Sequence, residues 1–256
     1  MGTIAVTGAA GGMGVALRAR LEAQGHRVIG VDVRDAEVIA DLGTPDGRSA
    51  MVGAVTDLSG GALDGLVAAA GISGEGPPVV SIDYFGAVAT LVGLRPLLAG
   101  RPGASAVAVG SNSCSTQPGL PGDVVEACLA GDEEAARAAA TDGTGAYGAA
   151  KLALARWVRR HAVTADWIGA GIRLNAVAPG FIATPMTEGM AGFIMDLGDI
   201  YPIPAARPGT ADEVAALLAF LLGPDAGFFC GSVLVMDGGT EAALRGDDWP
   251  TAKPNR

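Results

Sequence analysis

Thr7-Gly8-Ala9-Ala10-Gly11-Gly12-Met13-Gly14 is the stretch that decides the fold. It follows an apolar run at residues 4–7 and precedes a helical pattern from Val15 to about Gln24. Because glycine has no Cβ, the main chain can turn tightly here and bring the free N–H groups of a helix start close to a phosphate. A strand, a glycine loop and a helix in this order predict the first unit of a dinucleotide-binding α/β fold; a glycine turn without a ligand is the alternative.

The remainder of the chain alternates in the same way. Apolar runs rich in β-branched residues lead into glycine-containing turns and Ala-rich helical patterns, which predicts a parallel sheet covered by helices on both faces. We therefore predict an α/β fold, a single doubly wound Rossmann-type domain over residues 1–256 with a seven-stranded parallel sheet flanked by helices. The predicted strands are residues 4–7, 27–33, 37–42, 66–70, 106–110, 173–178 and 232–237.

Two segments depart from plain alternation. Only about three residues separate the strand that ends at Val33 from the one that begins at Glu37, too few for the helix that normally joins parallel strands. We interpret this as an abbreviated crossover. Residues 117–144 carry an additional helical pattern, with Asp123 and Asp132 at predicted helix starts, and we interpret them as a helical insertion.

Composition and charge exclude several classes of function. The net charge of −10 would repel a polyanion, so nucleic acid is not an expected partner. Apolar stretches such as residues 214–222 are shorter than the roughly 20 residues of a membrane helix. A strand that begins at about Thr3 leaves no room for a signal peptide, so we expect a cytoplasmic protein without a membrane partner. The three cysteines, Cys114, Cys128 and Cys230, lack the paired spacing of a zinc or redox motif. We therefore expect reduced thiols and no metal site.

Asp32 ends the second predicted strand, about 20 residues after the glycine loop. A carboxylate at this place accepts hydrogen bonds from the adenosine ribose hydroxyls and repels a 2′-phosphate, which favours NAD over NADP. Arg34 lies two residues further on, so NADP remains the alternative cofactor. The alternative interpretation of Asp32 is a solvated residue in a turn.

Tyr147 and Lys151 lie four residues apart in a helical stretch, so both side chains project from one face. An ammonium beside a phenol favours the phenolate, and such a pair can accept or return the proton of an alcohol. A surface pair at helical spacing is the alternative.

Ser111 follows the fifth predicted strand, at the same edge of the sheet as the glycine loop, where its hydroxyl can bind a substrate oxygen. Ser113 is close enough to take this role, and a structural serine turn also remains open. His26 and His161 are expected on the surface, away from strand ends, so a Ser/His/Asp hydrolase lacks its base.

Taken together, these motifs resemble those of the short-chain dehydrogenase/reductase family. The resemblance covers nearly the whole chain through residues 7–14, 69–71, Ser111, 147–151, 173–180 and 235–239. Residues 26–42 and the insertion are similar to the family's bacterial 3α-hydroxysteroid dehydrogenase/carbonyl reductase subgroup.

The resemblance implies hydride transfer between NAD(H) and a secondary alcohol or ketone. It implies that Tyr147 is the acid/base, that Lys151 favours its phenolate and holds the nicotinamide ribose, and that Ser111 orients the carbonyl. It also implies adenine contacts from Asp41 and Leu42, and contacts with the nicotinamide end from Pro179, Gly180, Ile182 and Thr184. The full set of expected cofactor residues is Gly8, Gly12, Met13, Gly14, Asp32, Val33, Asp41, Leu42, Ala69, Ala70, Gly71, Tyr147, Lys151, Pro179, Gly180, Ile182 and Thr184.

Asp83 is the main departure from the family pattern, because many members carry asparagine at this position. A proton relay through Lys151 is therefore an open question, although a carboxylate can also hold the relay water. We expect retained activity. A catalytically weak NAD-sensing protein and a non-redox lyase or dehalogenase of the same fold are the alternatives.

Residues 185–195 contain Met and Phe side chains between glycines, which suit a bulky apolar substrate such as a hydroxysteroid, a terpenoid or a xenobiotic carbonyl. Packing on neighbouring helices is an equally open interpretation.

Members of this family commonly assemble through the helix that carries Tyr147, and the insertion would lie across that surface. We therefore expect a homodimer and not a tetramer, with a second contact near the C-terminal strand and residues 211–222.

Overall fold

The computed structural model describes residues 2–141, 143–248 and 252, and within them the chain forms nine strands and eleven α-helices. The strands are β1 (Thr3–Thr7), β2 (Arg27–Asp32), β3 (Val38–Ile39), β4 (Gly65–Ala68), β5 (Ser105–Val109), β6 (Arg173–Pro179), β7 (Ile182–Ala183), β8 (Gly209–Thr210) and β9 (Val233–Met236). The helices are α1 (Gly12–Ala23), α2 (Pro45–Ser59), α3 (Pro77–Val80), α4 (Ala87–Leu98), α5 (Ser113–Thr116), α6 (Gly122–Ala130), α7 (Glu133–Ala139), α8 (Ala146–His161), α9 (Ala191–Met195), α10 (Ala211–Leu222) and α11 (Thr240–Leu244).

Seven strands form one parallel sheet in the order β3-β2-β1-β4-β5-β6-β9, which confirms the predicted fold class. The chain runs outward from β1 in both directions, so the strand order reverses between β1 and β4. Doubly wound sheets bind ligands in the crevice at such a reversal, beyond the carboxyl ends of the strands.

The crossover from β2 to β3 contains no helix, as its length predicted. Strand β3 is shorter than the predicted 37–42, because Glu37 uses its side chain and not its main chain to accept the Gly30 N–H, at 2.8 Å. The strand ends where the Ala40 N–H donates to the Asp32 carbonyl and the chain turns at Asp41.

The core lies on both faces of the sheet in two clusters of buried aliphatic side chains. Strands β5 and β6 are buried along their whole length, which explains why they are mostly apolar; their buried polar side chains, Ser105, Arg173 and Asn175, all form hydrogen bonds to main-chain carbonyls. Residues 77–98 are helical throughout, with a π-helical turn at Ser81–Gly86 between α3 and α4.

Pro77–Leu98 is long and apolar enough, by length and composition alone, to cross a membrane, and the apolar runs considered in the sequence did not reveal it. Within its apolar window 61% of the helix is buried in the fold, which is typical of a core helix. It also carries the buried Asp83.

Residues 117–144 contain α6 and α7, and Asp132 caps α7 by accepting the Ala135 N–H at 2.9 Å. The two histidines are less exposed than expected. His161 is half-buried because it stacks on Trp157 at 4.1 Å, and His26 is half-buried directly before β2.

Candidate active site

The glycine loop ties the carboxyl ends of β1 and β4 together. Gly8 has a φ of +72°, and a Cβ at Gly14 would lie 2.1 Å from the Gly8 carbonyl oxygen. The Thr7 hydroxyl accepts the N–H groups of Ala69 and Ala70 at 3.1 and 3.2 Å. Only glycine permits this close approach of main chain, which leaves the start of α1 free to face a pyrophosphate.

Asp32 is held against the glycine loop. Its Oδ2 accepts the Ala10 N–H at 3.0 Å, and its Oδ1 accepts the Val33 N–H at 2.7 Å. The Arg34 side chain is 80% exposed and lies 4.0 Å from Asp35. The carboxylate therefore has a fixed orientation beside the loop, whereas the Arg34 side chain extends into solvent.

A buried ammonium lies beside a phenol on α8. Lys151 is 4% exposed, and its Nζ lies 5.5 Å from the centroid of the Tyr147 ring. The same Nζ donates to the Val109 carbonyl at 3.3 Å. The predicted helical spacing thus does place both groups on one face, and the end of β5 fixes the lysine.

Asp83 completes this cluster from the π-helical turn. Its side chain is fully buried; Oδ1 accepts the Ile72 N–H at 2.9 Å, and Oδ2 lies 3.8 Å from Lys151 Nζ. Among the residues described, Oδ2 has no hydrogen-bond partner. Burial raises the pKa of Asp83, and the Lys151 charge and the Ile72 N–H oppose this. A Cβ at Gly71 would lie 2.7 Å from Asp83 Oδ1, so glycine keeps this corner open.

Ser111 follows β5 and its Oγ accepts the Ser113 N–H at 3.2 Å. Its own hydroxyl proton is therefore left to donate to a substrate oxygen. The Ser113 Oγ is buried and, among the residues described, has no partner.

The segment after β6 touches the glycine loop. A Cβ at Gly12 would lie 2.9 Å from Thr184 Cβ, and one at Gly180 would lie 2.5 Å from Asp237 Cβ. Thr184 and Thr187 form a capping box that fixes the turn after β7. These glycines form a main-chain cradle of the kind that fits an extended dinucleotide.

The structure places the predicted cofactor residues outside α8 at or beyond the carboxyl ends of strands, on one edge of the sheet. They end or follow β1 (Gly8, Gly12, Met13, Gly14), β2 (Asp32, Val33), β3 (Asp41, Leu42), β4 (Ala69, Ala70, Gly71) and β6 (Pro179, Gly180, Ile182, Thr184), and Ile182 itself begins β7. The side chains of Leu42 and Ile182 are buried in the core, and their carbonyls accept hydrogen bonds from Arg48 Nε at 2.7 Å and from the Thr187 hydroxyl at 2.6 Å. Among residues 2–141, 143–248 and 252 no group of three or more His, Cys, Asp or Glu is arranged to hold a metal ion.

Comparison with known proteins identifies the family. The 3-alpha-hydroxysteroid dehydrogenase/carbonyl reductase of Comamonas testosteroni is 35% identical, with 96% of this chain and 98% of that protein covered. The 3-alpha-hydroxysteroid dehydrogenase from Pseudomonas sp. B-0831, solved with NADH, is 43% identical at a TM-score of 0.88, over 96% of this chain and 99% of that one. The chain belongs to the short-chain dehydrogenase/reductase family.

Two further comparisons agree with this membership. Levodione reductase of Leifsonia aquatica is 30% identical over 94% of each chain, and a family model described as enoyl-(acyl carrier protein) reductase matches residues 134–241. The protein is thus a short-chain dehydrogenase/reductase, an oxidoreductase that uses a nicotinamide cofactor.

Sequence reasoning about this short-chain dehydrogenase/reductase missed Tyr201. Its hydroxyl accepts from Asn112 Nδ2 at 2.9 Å, and the same amide lies 3.1 Å from Asp237 Oδ2. Burial raises the pKa of the Tyr201 phenol, the Asn112 hydrogen bond opposes this, and the charges of Asp237 and Tyr147 raise it further. Tyr201 follows no strand and belongs to no motif, so no local sequence signal identifies it.

Glu75 was also missed. Its Oε2 accepts the N–H groups of Gly145 and Ala146, at 2.9 and 2.8 Å, and thereby caps the helix that carries Tyr147. The cap comes from 70 residues away, beyond the reach of any local capping pattern.

Proposed function

We propose that this oxidoreductase interconverts a secondary alcohol and a ketone with NAD(H), with Tyr147 as the catalytic acid/base. The observation that supports this most strongly is the buried ammonium of Lys151 at 5.5 Å from the Tyr147 ring, next to a glycine cradle.

The nicotinamide ring, when bound, accepts or supplies the hydride. In the oxidation the alcohol loses its hydroxyl proton to Tyr147 and its carbinol hydrogen as hydride, and a ketone results. Ser111 donates to the substrate oxygen and orients it. Lys151 stabilises the phenolate that receives the proton. The Asp83 carboxylate, beside Lys151, determines how much of the positive charge of the lysine is left to act on Tyr147.

NAD is the proposed cofactor in preference to NADP. The support is Asp32, whose carboxylate is fixed against the loop by Ala10 and would repel a 2′-phosphate. Arg34 extends away into solvent, where it would have to turn back to neutralise that phosphate.

The proposed substrate is bulky and apolar, in the class of hydroxysteroids, terpenoids or xenobiotic carbonyls. Four apolar side chains between β7 and Tyr201 are exposed by 43–77%: Met186, Met190, Phe193 and Ile200. Apolar side chains at this density on one surface segment favour contact with an apolar ligand. The relatives named for hydroxysteroid and levodione support the same class.

We further propose a cytoplasmic homodimer. Strand β9 ends the sheet with β6 as its one neighbour, and Phe220, Phe228 and Val235 near it are exposed. Helix α6 packs on α8, which covers the face that a tetramer would use.

A catalytically weak NAD-sensing protein is the second candidate. Asp83 favours it, because an ionised carboxylate 3.8 Å from Lys151 offsets the charge that activates Tyr147.

An activity assay separates the two candidates. We would follow absorbance at 340 nm with NAD or NADP and a panel of 3α-hydroxysteroids and alicyclic terpenoid alcohols, for the wild type and Tyr147→Phe. The proposal predicts NADH formation that is lost in Tyr147→Phe while NADH binding remains. Tight NADH binding with no turnover of any alcohol would favour the sensor.

A further inference from the structure

Arg48 lies where two segments of the proposed cofactor site meet. Its side chain, in the first turn of α2, is only 11% exposed. Its Nε donates to the Leu42 carbonyl at 2.7 Å, and its Nη2 donates to the Ser81 carbonyl at 2.9 Å. Leu42 belongs to the segment expected at adenine, and Ser81 begins the π-helical turn that carries Asp83. One guanidinium therefore holds the main chain of both segments.

Glu133 of α7 fixes the direction of this guanidinium. Its Oε2 accepts from Arg48 Nη1 at 2.6 Å and its Oε1 accepts from Nη2 at 2.8 Å. The hydrogen bond from Arg48 lowers the pKa of Glu133, so the pair is ionic at neutral pH. A planar guanidinium bound by both oxygens of a carboxylate has little freedom to rotate.

Helix α7 also contacts the π-helical turn directly. Arg137 of α7 donates from its Nη1 to the Ser81 hydroxyl at 2.6 Å. From α2, the Arg48 guanidinium lies 5.9 Å from the centre of the Phe85 ring. Ser81 and Phe85 flank Asp83 in sequence and are held from the same side. π-Helical turns are irregular backbone that is frequent at functional sites. The contacts from Arg137 and Arg48 hold this turn, and with it the position of Asp83.

We propose that Arg48 and Glu133 are positioning residues for the adenine end of the cofactor, through which the α6–α7 segment, anchored on the turn of Asp83 that Arg137 also supports, sets the turn at Asp41 and Leu42. The inference rests on the proposed function, because it requires that the protein binds NAD(H) and takes the expected adenine contacts of Asp41 and Leu42 as its starting point. It gives residues 117–144 a role in cofactor binding, separate from any effect on assembly.

The test measures two cofactor ligands on folded variants. We would titrate NADH and reduced nicotinamide mononucleotide, which lacks the adenosine, into the wild type, Glu133→Gln and Arg48→Lys. Glu133→Gln keeps the shape but loses the charge, and Arg48→Lys keeps the charge but cannot bridge the three acceptors. The matched control is Glu134→Gln, an exposed neighbour on the same helix. Thermal melts establish that each protein is folded. If either Glu133→Gln or Arg48→Lys fails to fold, the other variant provides the test.

We expect both variants to bind NADH about three- to tenfold more weakly, the usual range for coupling through a packed network, with the mononucleotide affinity within about twofold of wild type. Glu134→Gln should match the wild type. Unchanged NADH affinity in the folded variants would overturn the inference alone. Equal weakening of both ligands would also overturn it, since that result indicates general loosening. A wild type that does not bind NADH would overturn the proposed function and this inference together.

Discussion

At the scale of single residues, the site depends on how the buried Lys151 and Asp83 side chains act together on the half-buried Tyr147 phenol. Lys151 lies between the Tyr147 ring and the Asp83 carboxylate, and its Nζ is 3.8 Å from Asp83 Oδ2. Where the Asp83 carboxylate is ionised, it offsets part of the ammonium charge that favours the Tyr147 phenolate. The carboxylate thus opposes the activation that the lysine supplies.

The Asp83→Asn variant tests this opposition. The pKa of Asp83 is raised by burial, so the wild-type carboxyl is neutral at low pH and gains its charge as the pH rises through that value. The amide cannot gain that charge. We expect the lower limb of the pH profile of kcat/KM for alcohol oxidation to move to lower pH by about one unit, a usual effect of one nearby charge.

The control for Asp83→Asn is Asp123→Asn, an exposed carboxylate on α6. It should leave the pH profile unchanged. A profile for Asp83→Asn that coincides with the wild type would show that the carboxylate does not act on the Tyr147 proton.

At the scale of secondary-structure elements, side chains from distant parts of the sequence bind the free main-chain groups at helix ends. Glu75 caps the first turn of α8, and Arg173 binds carbonyls in and beyond the last turn of α10. Arg173 is 6% exposed, and its Nη1 donates to the carbonyls of Leu221 and Ala226, both at 2.9 Å. A cation at a helix C-terminus is also favoured by the helix dipole.

Replacement of Glu75 should loosen the start of the catalytic helix. Glu75→Ala removes the acceptor of two N–H groups, and we expect about 1 kcal/mol less unfolding free energy together with a lower kcat. Glu75→Gln, which keeps an acceptor oxygen, should lose less of both. Urea unfolding and steady-state rates measure the pair of effects, and a stability loss without any change in kcat would show that the cap does not position Tyr147.

Replacement of Arg173 should destabilise the fold without acting on the chemistry. Arg173→Met leaves several buried carbonyls without a donor, and we expect a loss of about 3 kcal/mol of unfolding free energy. The exposed Arg156→Met on α8 is the matched control and should change it by less than about 0.5 kcal/mol. A wild-type urea midpoint for Arg173→Met would contradict this role for the buried arginine.

The elements show which features local sequence can reveal. The glycine loop, the short crossover and the Tyr147–Lys151 spacing are set by neighbours within a few residues, so the sequence predicted them. Tyr201 and the Arg48–Glu133 pair depend on contacts between residues 85 or more positions apart, or on a turn with no sequence signature. The π-helical turn at Asp83 was invisible for the same reason, because tertiary contacts shape it.

At the scale of the whole molecule, the edges of the sheet differ in character. β3 is a two-residue edge strand that ends at a turn, whereas β9 ends the other side beside exposed aromatic side chains. An exposed strand edge with apolar neighbours favours pairing with a second copy of the chain.

Light scattering tests the expected assembly. We expect a mass of about twice the 25.3 kDa of one chain. Val235→Asp on β9 should shift the protein toward monomer, because a charge would be buried in the contact. The equivalent change at Val163, exposed and far from β9 in the chain, should leave the dimer intact. A stable tetramer would contradict the homodimer.

Direct observation of hydride transfer tests the central claim. We would incubate the protein with NAD and a secondary alcohol deuterated at its carbinol carbon, chosen from the hydroxysteroid and alicyclic panel, and measure the mass of the NADH formed. We expect NADH that carries one deuterium in the wild type and no NADH in Tyr147→Phe. Bound NAD with no labelled NADH from any alcohol of the panel would contradict it.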